Sequence, residues 1–123
     1  MTVKSFRDLE IWQRTMALVT RCYRLAEGLP RSEAFGLALQ LRRTAVSVPS
    51  NIAEGHGRSA TGEYLHHLAI AHGSLMELET QVEIAGRLGY AKEDVVADIF
   101  RETGDLGRMI HGLARSLKAR RDA

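Results

Sequence analysis

A helical apolar repeat that continues through a proline constrains this sequence more than any other feature. Pro49 has no backbone N–H, and inside a helix it costs ~3 kcal/mol. Apolar residues nevertheless recur at steps of three and four on both sides of Pro49 without losing phase, which indicates one continuous helix face. We therefore predict a single helix over about 32–55, capped by Ser32, ended at Gly55 and Gly57, and kinked at Pro49. Its core face is Ala34, Ala38, Leu41, Ala45, Val48 and Ile52.

Three more segments show the same spacing, separated by short breaks that contain glycine or proline. Short breaks between long helices are typical of antiparallel neighbours. The 123 residues therefore predict an all-α fold, an antiparallel up-down-up-down four-helix bundle that forms one domain over 1–123. The third helix is predicted to be capped by Ser59 or Thr61, and the fourth to cover about 91–119. In the first helix the predicted core face is Leu9, Trp12, Met16, Val19, Tyr23 and Ala26, flanked by Ile11, Leu18, Cys22 and Leu25.

Composition limits the compartment and the partners. One cysteine, Cys22, cannot form an internal disulfide, and no apolar run is long enough to cross a membrane. We expect a cytoplasmic protein with no membrane partner. The net charge is only +2, yet 14 arginines stand against three lysines. Because arginine makes bidentate contacts with carboxylates and phosphates, this excess fits an ion-paired assembly or a nucleic-acid surface.

Basic residues form the first polar group of interest. Binding to a phosphate backbone needs aligned cations and little else, although a solvated helix face gives the same pattern. Four arginines at steps of seven and three residues are predicted to line the outer face of the first helix, and four more cations lie near the C-terminus. The candidate nucleic-acid-binding residues are Arg7, Arg14, Arg21, Arg24, Arg115, Lys118, Arg120 and Arg121.

The second polar group lies beside the apolar faces of the second and third helices. Charged groups in such positions usually pair with one another or across a subunit boundary. We therefore predict an Arg–Glu network at a helix–helix or subunit contact, together with the helix-shaping proline. These structural or interface residues are Arg43, Pro49, Asn51, Glu54, Glu77 and Glu79.

Motifs for catalysis or cofactor binding are incomplete. Glu63 and His66 form a Glu-x-x-His pair, but a di-iron site in a bundle needs a second such pair, which the sequence lacks. The segment GHGRSATG has no Lys-Ser/Thr ending and is therefore not a phosphate-binding loop. His72 is predicted to be a boundary residue beside the third helix's apolar face. We predict no metal, cofactor or small-molecule substrate.

Four stretches together resemble one known family. They are FRDLEIWQRTMALV, LRRTAVSVPSNIAEGHGR, GSLMELETQVEIAGRLGY and GRMIHGLARSLK. The family is the small four-helix-bundle proteins encoded in intervening sequences of bacterial 23S ribosomal RNA genes. The resemblance implies a homopentameric ring without an established catalytic activity. It also implies likeness to the accessory variability protein of diversity-generating retroelements, in which a basic ring surface engages nucleic acid. Residues matching the family signature, with an implied architectural role, are Arg43, Pro49, Asn51, Ile52, Ala53, Glu54, Gly55, Gly73, Leu75, Glu77, Leu78 and Glu79.

Two functions from different classes remain open at this point. The first is a non-enzymatic homo-oligomeric scaffold, most simply a pentamer, that binds RNA or DNA through a basic surface. It is favoured by surplus apolar residues, namely two adjacent apolar rows on the first helix and Phe35, Leu39 and Val46 on the second. The alternative is a small RNA-processing enzyme, similar to a ribonuclease, that uses histidine and arginine side chains.

Overall fold

The computed structural model describes residues 3–122 as four long helices with no strand in that range. Each helix packs against the next, α1 also packs against α4, and in the two diagonal pairs no Cα atoms come within 8 Å of each other. This arrangement confirms the predicted antiparallel up-down-up-down four-helix bundle. The helices are α1 Glu10–Glu27, α2 Leu37–His56, α3 Thr61–Arg87 and α4 Glu93–Asp122, and short 3-10 turns cover Phe6–Asp8 and Arg31–Glu33.

Helix α2 runs through Pro49 without interruption, as its apolar phase predicts. Leu41 and Ile52, on either side of the proline, are both fully buried. The predicted start was wrong, because Ser32 lies in a 3-10 turn and α2 begins at Leu37. The Leu37 amide donates instead to Glu33 Oε1 at 3.1 Å, so a glutamate side chain from the preceding turn satisfies this helix end.

The start of α3 also differs from its prediction. Ala60, rather than Ser59 or Thr61, precedes the first helical residue, and its side chain makes no capping hydrogen bond. The amides of Glu63 and Tyr64 donate to the Ala60 carbonyl at 3.1 and 3.2 Å. Backbone bonds therefore begin this helix without a capping hydroxyl.

The face of α1 that enters the core is centred on the residues predicted to flank it, and of the predicted face itself only Ala26 is buried. Ile11, Thr15 and Leu18 are buried, whereas Met16 and Tyr23 are 41% and 38% exposed. Thr15 places a polar residue in the buried row, so that row is difficult to recognise in the sequence. The Thr15 hydroxyl donates to the Trp12 carbonyl at 2.7 Å. A buried hydroxyl satisfied within its own helix carries little cost. Of the other apolar row of α1, Leu9, Trp12 and Val19 pack partly buried against the core.

Helix α4 follows its predicted face along most of its length. Ile99, Leu106 and Leu117 are buried, but Val95 in the first turn is 37% exposed. Thr103 is also buried, and its hydroxyl donates to the Phe100 carbonyl at 3.1 Å. The core of α4 thus repeats the solution found in α1, a threonine whose polar atom is satisfied by its own helix.

Gly55 sits inside α2 instead of ending it, which corrects the sequence prediction. The helix ends at Gly57, whose φ of −77° is an ordinary right-handed value. A Cβ built on Gly55 would lie 2.9 Å from both the Tyr64 ring and the Cβ of His67. Gly55 therefore allows α2 and α3 to approach closely, and these two helices form the most extensive contact in the bundle.

Replacing Gly55 by alanine should destabilise the bundle by about 1–3 kcal/mol, because the added methyl group forces Tyr64 or α3 outward. Urea denaturation followed by circular dichroism measures this change. Gly104→Ala is the matched control, since its new Cβ would meet only the flexible end of Arg108 at 3.7 Å. The control should be neutral or more stable by about 0.5–1 kcal/mol. Equal stability of the two variants would contradict the close-approach argument.

Candidate functional site

A chain of hydrogen bonds joins α2 to α3 beside Pro49. The Asn51 amide donates to the Ser47 carbonyl at 2.8 Å and to its hydroxyl at 3.1 Å. Ser47 and Ser74 share a hydrogen bond of 2.9 Å across the two helices. The side-chain amide oxygen of Asn51 lies 3.0 Å from Nδ1 of His67. Because Asn51 donates toward Ser47, its oxygen accepts from His67, which assigns the proton to Nδ1.

Glu54 extends this chain to the protein surface. One of its oxygens lies 3.3 Å from Nδ1 of His67, and the other accepts from Arg58 at 3.3 Å. Glu54 and Arg58 are both about half exposed, so their ion pair adds little stability. Asn51 and Glu54, on α2, therefore both contact His67 on α3.

Within the part of the chain that the structure describes, the predicted Arg–Glu network does not form. Among residues 3–122, Arg42, Arg43, Glu77 and Glu79 take part in no ion pair. Arg43 and Glu77 are exposed on different helices, while Glu79 is half-buried. Of the two locations that the sequence left open for this network, only a subunit contact stays a prediction.

Arg14 stands apart from the other arginines of the predicted basic stripe. Its guanidinium turns toward α4, where Nε and Nη2 donate to the two oxygens of Glu102 at 3.1 and 3.2 Å. Nη2 also donates to Asp105 at 3.2 Å. Hydrogen bonds to Glu102, and to a smaller extent to Asp105, raise the pKa of Arg14. Two carboxylates already neutralise this cation, so it is a poor anchor for an external phosphate.

The other three arginines of the predicted stripe lie at the two ends of α1. Arg7 belongs to the preceding 3-10 turn, with its guanidinium carbon 4.7 Å from the centre of the Phe6 ring. Arg21 and Arg24 are exposed near the other end, on the rim of a cleft of about 550 Å³ between α1 and the start of α4. Lys92 and the Tyr90 ring also line this cleft. The stripe is therefore divided into separate basic patches.

The C-terminal basic residues form one exposed group on the last turns of α4. This group comprises Arg115, Lys118, Arg120 and Arg121. Arg121 pairs with the adjacent Asp122 at 3.3 Å. Cations at a helix C-terminus also interact favourably with the helix dipole, so their position has a structural explanation independent of any ligand.

Apolar side chains form a shallow groove of about 290 Å³ between α1 and α2. Met16 from α1 and Val46 from α2 are 41% and 40% exposed, and Pro49 is buried at the base. This groove is built from the α1 row that the sequence had assigned to the core. Its lining residues are Trp12, Met16, Val19, Val46, Pro49, Ser50 and Ala53.

A pair of facing histidines was missed by the sequence reasoning. His72 on α3 and His111 on α4 approach to 3.2 Å between their Nε2 atoms. The two positions are 39 residues apart, and nothing in the local pattern of either helix marks them as neighbours. Only the observation that both lie on the flank of an apolar face could have suggested that they meet.

The cysteine of α1 is buried. Burial raises the pKa of Cys22 to about 12, so its thiol stays protonated at neutral pH. Over residues 3–122, no group of three or more histidine, cysteine, aspartate or glutamate side chains is arranged to hold a metal ion. No helix in that range is long and apolar enough to cross a membrane.

Comparisons with known proteins point to one family. The family model described as 23S rRNA-intervening sequence protein matches residues 7–112. A crystal structure from Bacteroides thetaiotaomicron, described as a protein of unknown function from the S23 ribosomal protein family, is similar with a TM-score of 0.79. The alignment covers 85% of this chain and 97% of that one at 18% identity, which shows a shared fold. No curated protein matches the chain.

Acid should lower the stability of the bundle by protonating Asp105, which pairs with Arg14 and Arg108. Hydrogen bonds from Arg108 and then Arg14 hold the pKa of Asp105 below its ordinary 3.8. The pKa of Asp105 is lower in the folded chain than in the unfolded chain. Its contribution to the unfolding free energy is therefore fully present above the unfolded-state pKa, and it is lost as the pH falls through the folded-state pKa. Asp105→Asn should therefore flatten the pH dependence of the unfolding free energy below pH ~4. Urea titrations at a series of pH values test this, with Asp122→Asn as the charge-matched control.

Proposed function

Because this chain belongs to the family of 23S rRNA-intervening sequence proteins, we propose that it is a homo-oligomeric scaffold, a pentameric ring, that binds RNA or DNA through its basic surface. The observation that carries the oligomer is the apolar groove between α1 and α2. Met16 and Val46 expose large apolar side chains there, beside the half-buried Trp12. Contiguous exposed apolar surface on a globular chain usually marks a contact with a partner.

A second apolar face supports a ring over a symmetric dimer. Ile70 and Ile84 of α3 are 38% and 42% exposed, and Leu88, which directly follows the helix, is 55% exposed. The seven-residue steps from Ile70 to Glu77 and Ile84 place these residues on one side of the helix. Helix α3 is diagonal to α1, so this face and the α1–α2 groove are different surfaces. An interface that joins two different surfaces of identical chains generates a closed ring when its rotation closes.

Charge on the two faces is complementary. Arg42 and Arg43 lie on α2, about one turn before Val46 of the apolar groove, whereas Glu77 lies within the α3 face. Neither arginine nor Glu77 has an ion-pair partner among the described residues of its own chain. Contact between the groove of one subunit and the α3 face of the next would bring the opposite charges together, which favours the correct register.

The nucleic-acid part of the proposal depends on repetition of a weak patch. A net charge of +2 produces little attraction for a polyanion as a whole. In a ring, however, the patch of Arg21 and Arg24 is repeated in each subunit, and simultaneous contacts multiply a weak affinity. Such binding would tolerate different sequences and decrease steeply with salt, because counterions are released from the phosphates.

The ribonuclease alternative has less support from the site geometry. Cleavage by a histidine pair needs the scissile phosphate between the two imidazoles. The Nε2 atoms of His72 and His111 are 3.2 Å apart, while one N–H···O hydrogen bond alone spans ~2.7–3.2 Å. This pair in its present arrangement leaves no room for a phosphate.

Oligomerisation should be lost when a charge is placed in the groove. Met16→Glu and Val46→Glu should each reduce the mass from about five chains to one chain of 13.7 kDa, because a buried unpaired carboxylate is costly. Light scattering coupled to size-exclusion chromatography measures the mass. Val95→Glu is the matched control, since Val95 is similarly exposed at 37% but lies on α4. A monomeric parent protein, or two groove variants that assemble normally, would refute the proposed interface.

Nucleic-acid binding should decrease when the charges at Arg21 and Arg24 are reversed together. The variant R21E/R24E is expected to bind duplex DNA and RNA at least tenfold more weakly and to show a shallower dependence on salt. Gel-shift titrations at several salt concentrations test this. The control R58E/R108E changes net charge equally at two exposed arginines that do not line this cleft, and it should retain most of the affinity. Equal losses in both variants would assign the binding to total charge instead of this patch.

A further inference from the structure

The facing histidines of α3 and α4 form a contact that neither the bundle nor the proposed scaffold requires. His72 is half-buried and His111 is exposed, so neither ring contributes much to the core. Their Nε2 atoms lie 3.2 Å apart, and their ring centroids are 4.5 Å apart. Two neutral imidazoles at this distance share one N–H···N hydrogen bond, with one ring as donor and the other as acceptor.

The backbone around the pair leaves space for both rings. Gly107, one turn before His111, is buried under the imidazole of His72. A methyl group built at Gly107 would touch His72 Nε2 at 3.9 Å, and any longer side chain would compete for the position of the ring. The pair lies in an open groove of about 490 Å³ between α3 and α4, which His66, Lys118 and Arg121 also line.

The separation of the two nitrogens matches that of two ligands on one metal ion. In a tetrahedral site with metal–nitrogen bonds of ~2.0–2.1 Å, two ligating nitrogens lie roughly 3.3–3.4 Å apart. We propose that His72 and His111 form a two-histidine site for a divalent transition metal ion of the Zn²⁺, Ni²⁺ or Cu²⁺ class. Imidazole nitrogens suit these ions, whereas Mg²⁺ and Ca²⁺ prefer oxygen ligands.

Binding requires only a small change in the pair. Each imidazole must carry its proton on Nδ1 and present the lone pair of Nε2 to the metal ion. The ring that donates through Nε2 therefore changes tautomer, and the shared N–H···N hydrogen bond is lost. The rings must also rotate slightly, because the two lone pairs have to converge on one point in the groove. His111 is exposed, so its ring is free to rotate toward that point.

The rest of the groove defines what completes the coordination. With two protein ligands, a tetrahedral ion keeps two positions open to water or to an added ligand. Lys118 and Arg121 repel a bare divalent cation, but they attract an anion bound to it. The site should therefore hold the metal more weakly than a three-ligand site does, and it should favour an ion that carries an anionic ligand such as a phosphate or carboxylate group. This assignment does not depend on the proposed oligomer or on nucleic-acid binding.

The test is titration of the whole protein with ZnCl₂ or NiCl₂ alone, followed by calorimetry and thermal unfolding. One ion should bind per chain, and metal at about 100 times its Kd should raise Tm on the order of 10 °C. His72→Gln and His111→Gln should each weaken binding at least tenfold, because one remaining imidazole is a poor site. Circular dichroism should show an unchanged helical signal, since neither side chain is part of the core.

His66→Gln is the matched control, because His66 is an exposed histidine of the same groove outside the pair. It should bind metal with the parent affinity. In NMR spectra, zinc should shift the ring protons of His72 and His111 together and leave those of His67 unchanged. The assignment is overturned if no ion binds, if binding survives His72→Gln and His111→Gln, or if His66→Gln weakens it as much.

Discussion

The close approach of α2 to α3 is the constraint on which the rest of the bundle depends. Gly55 has no side chain at the point where Tyr64 and His67 press against α2. The adjoining hydrogen bonds between Ser47 and Ser74 and from His67 to Asn51 cross from one helix to the other and fix their register. A polar contact of this kind is directional, unlike apolar packing, and it therefore selects one alignment out of the several that an apolar seam would tolerate.

The α2–α3 contact helps to explain the position of Pro49 within α2. Pro49 is buried and faces the groove toward α1, while Asn51, two residues further on, faces α3. The same short segment thus meets both neighbours of α2. Within the signature segment, Pro49 lines the groove toward α1, whereas Asn51 and Gly55 meet α3.

Periodicity predicts the helices well, because burial of a whole face is a collective signal. It fails for α1, where two apolar rows lie side by side and the row with Thr15 is the buried one. Counting apolar residues disfavours a row with a threonine, although the Trp12 carbonyl satisfies its hydroxyl. The site was harder to predict than the fold. Arg14 meets Glu102 across 88 residues, and His72 meets His111 across 39, so neither pairing leaves a local trace.

The four helix contacts are unequal, and the least extensive of them joins α1 to α4. An ion-pair cluster around Arg14 bridges that seam, and the cleft bordered by Arg21 lies along it. Local opening of a protein follows the regions with the fewest buried contacts. Local opening of the bundle should therefore separate α1 from α4, while α2 and α3 remain packed together as a helical hairpin. In amide hydrogen exchange, the central turns of α2 and α3 would exchange slowly and α1 would exchange faster. The exchange rates in the native state would thus report the order in which the helices separate.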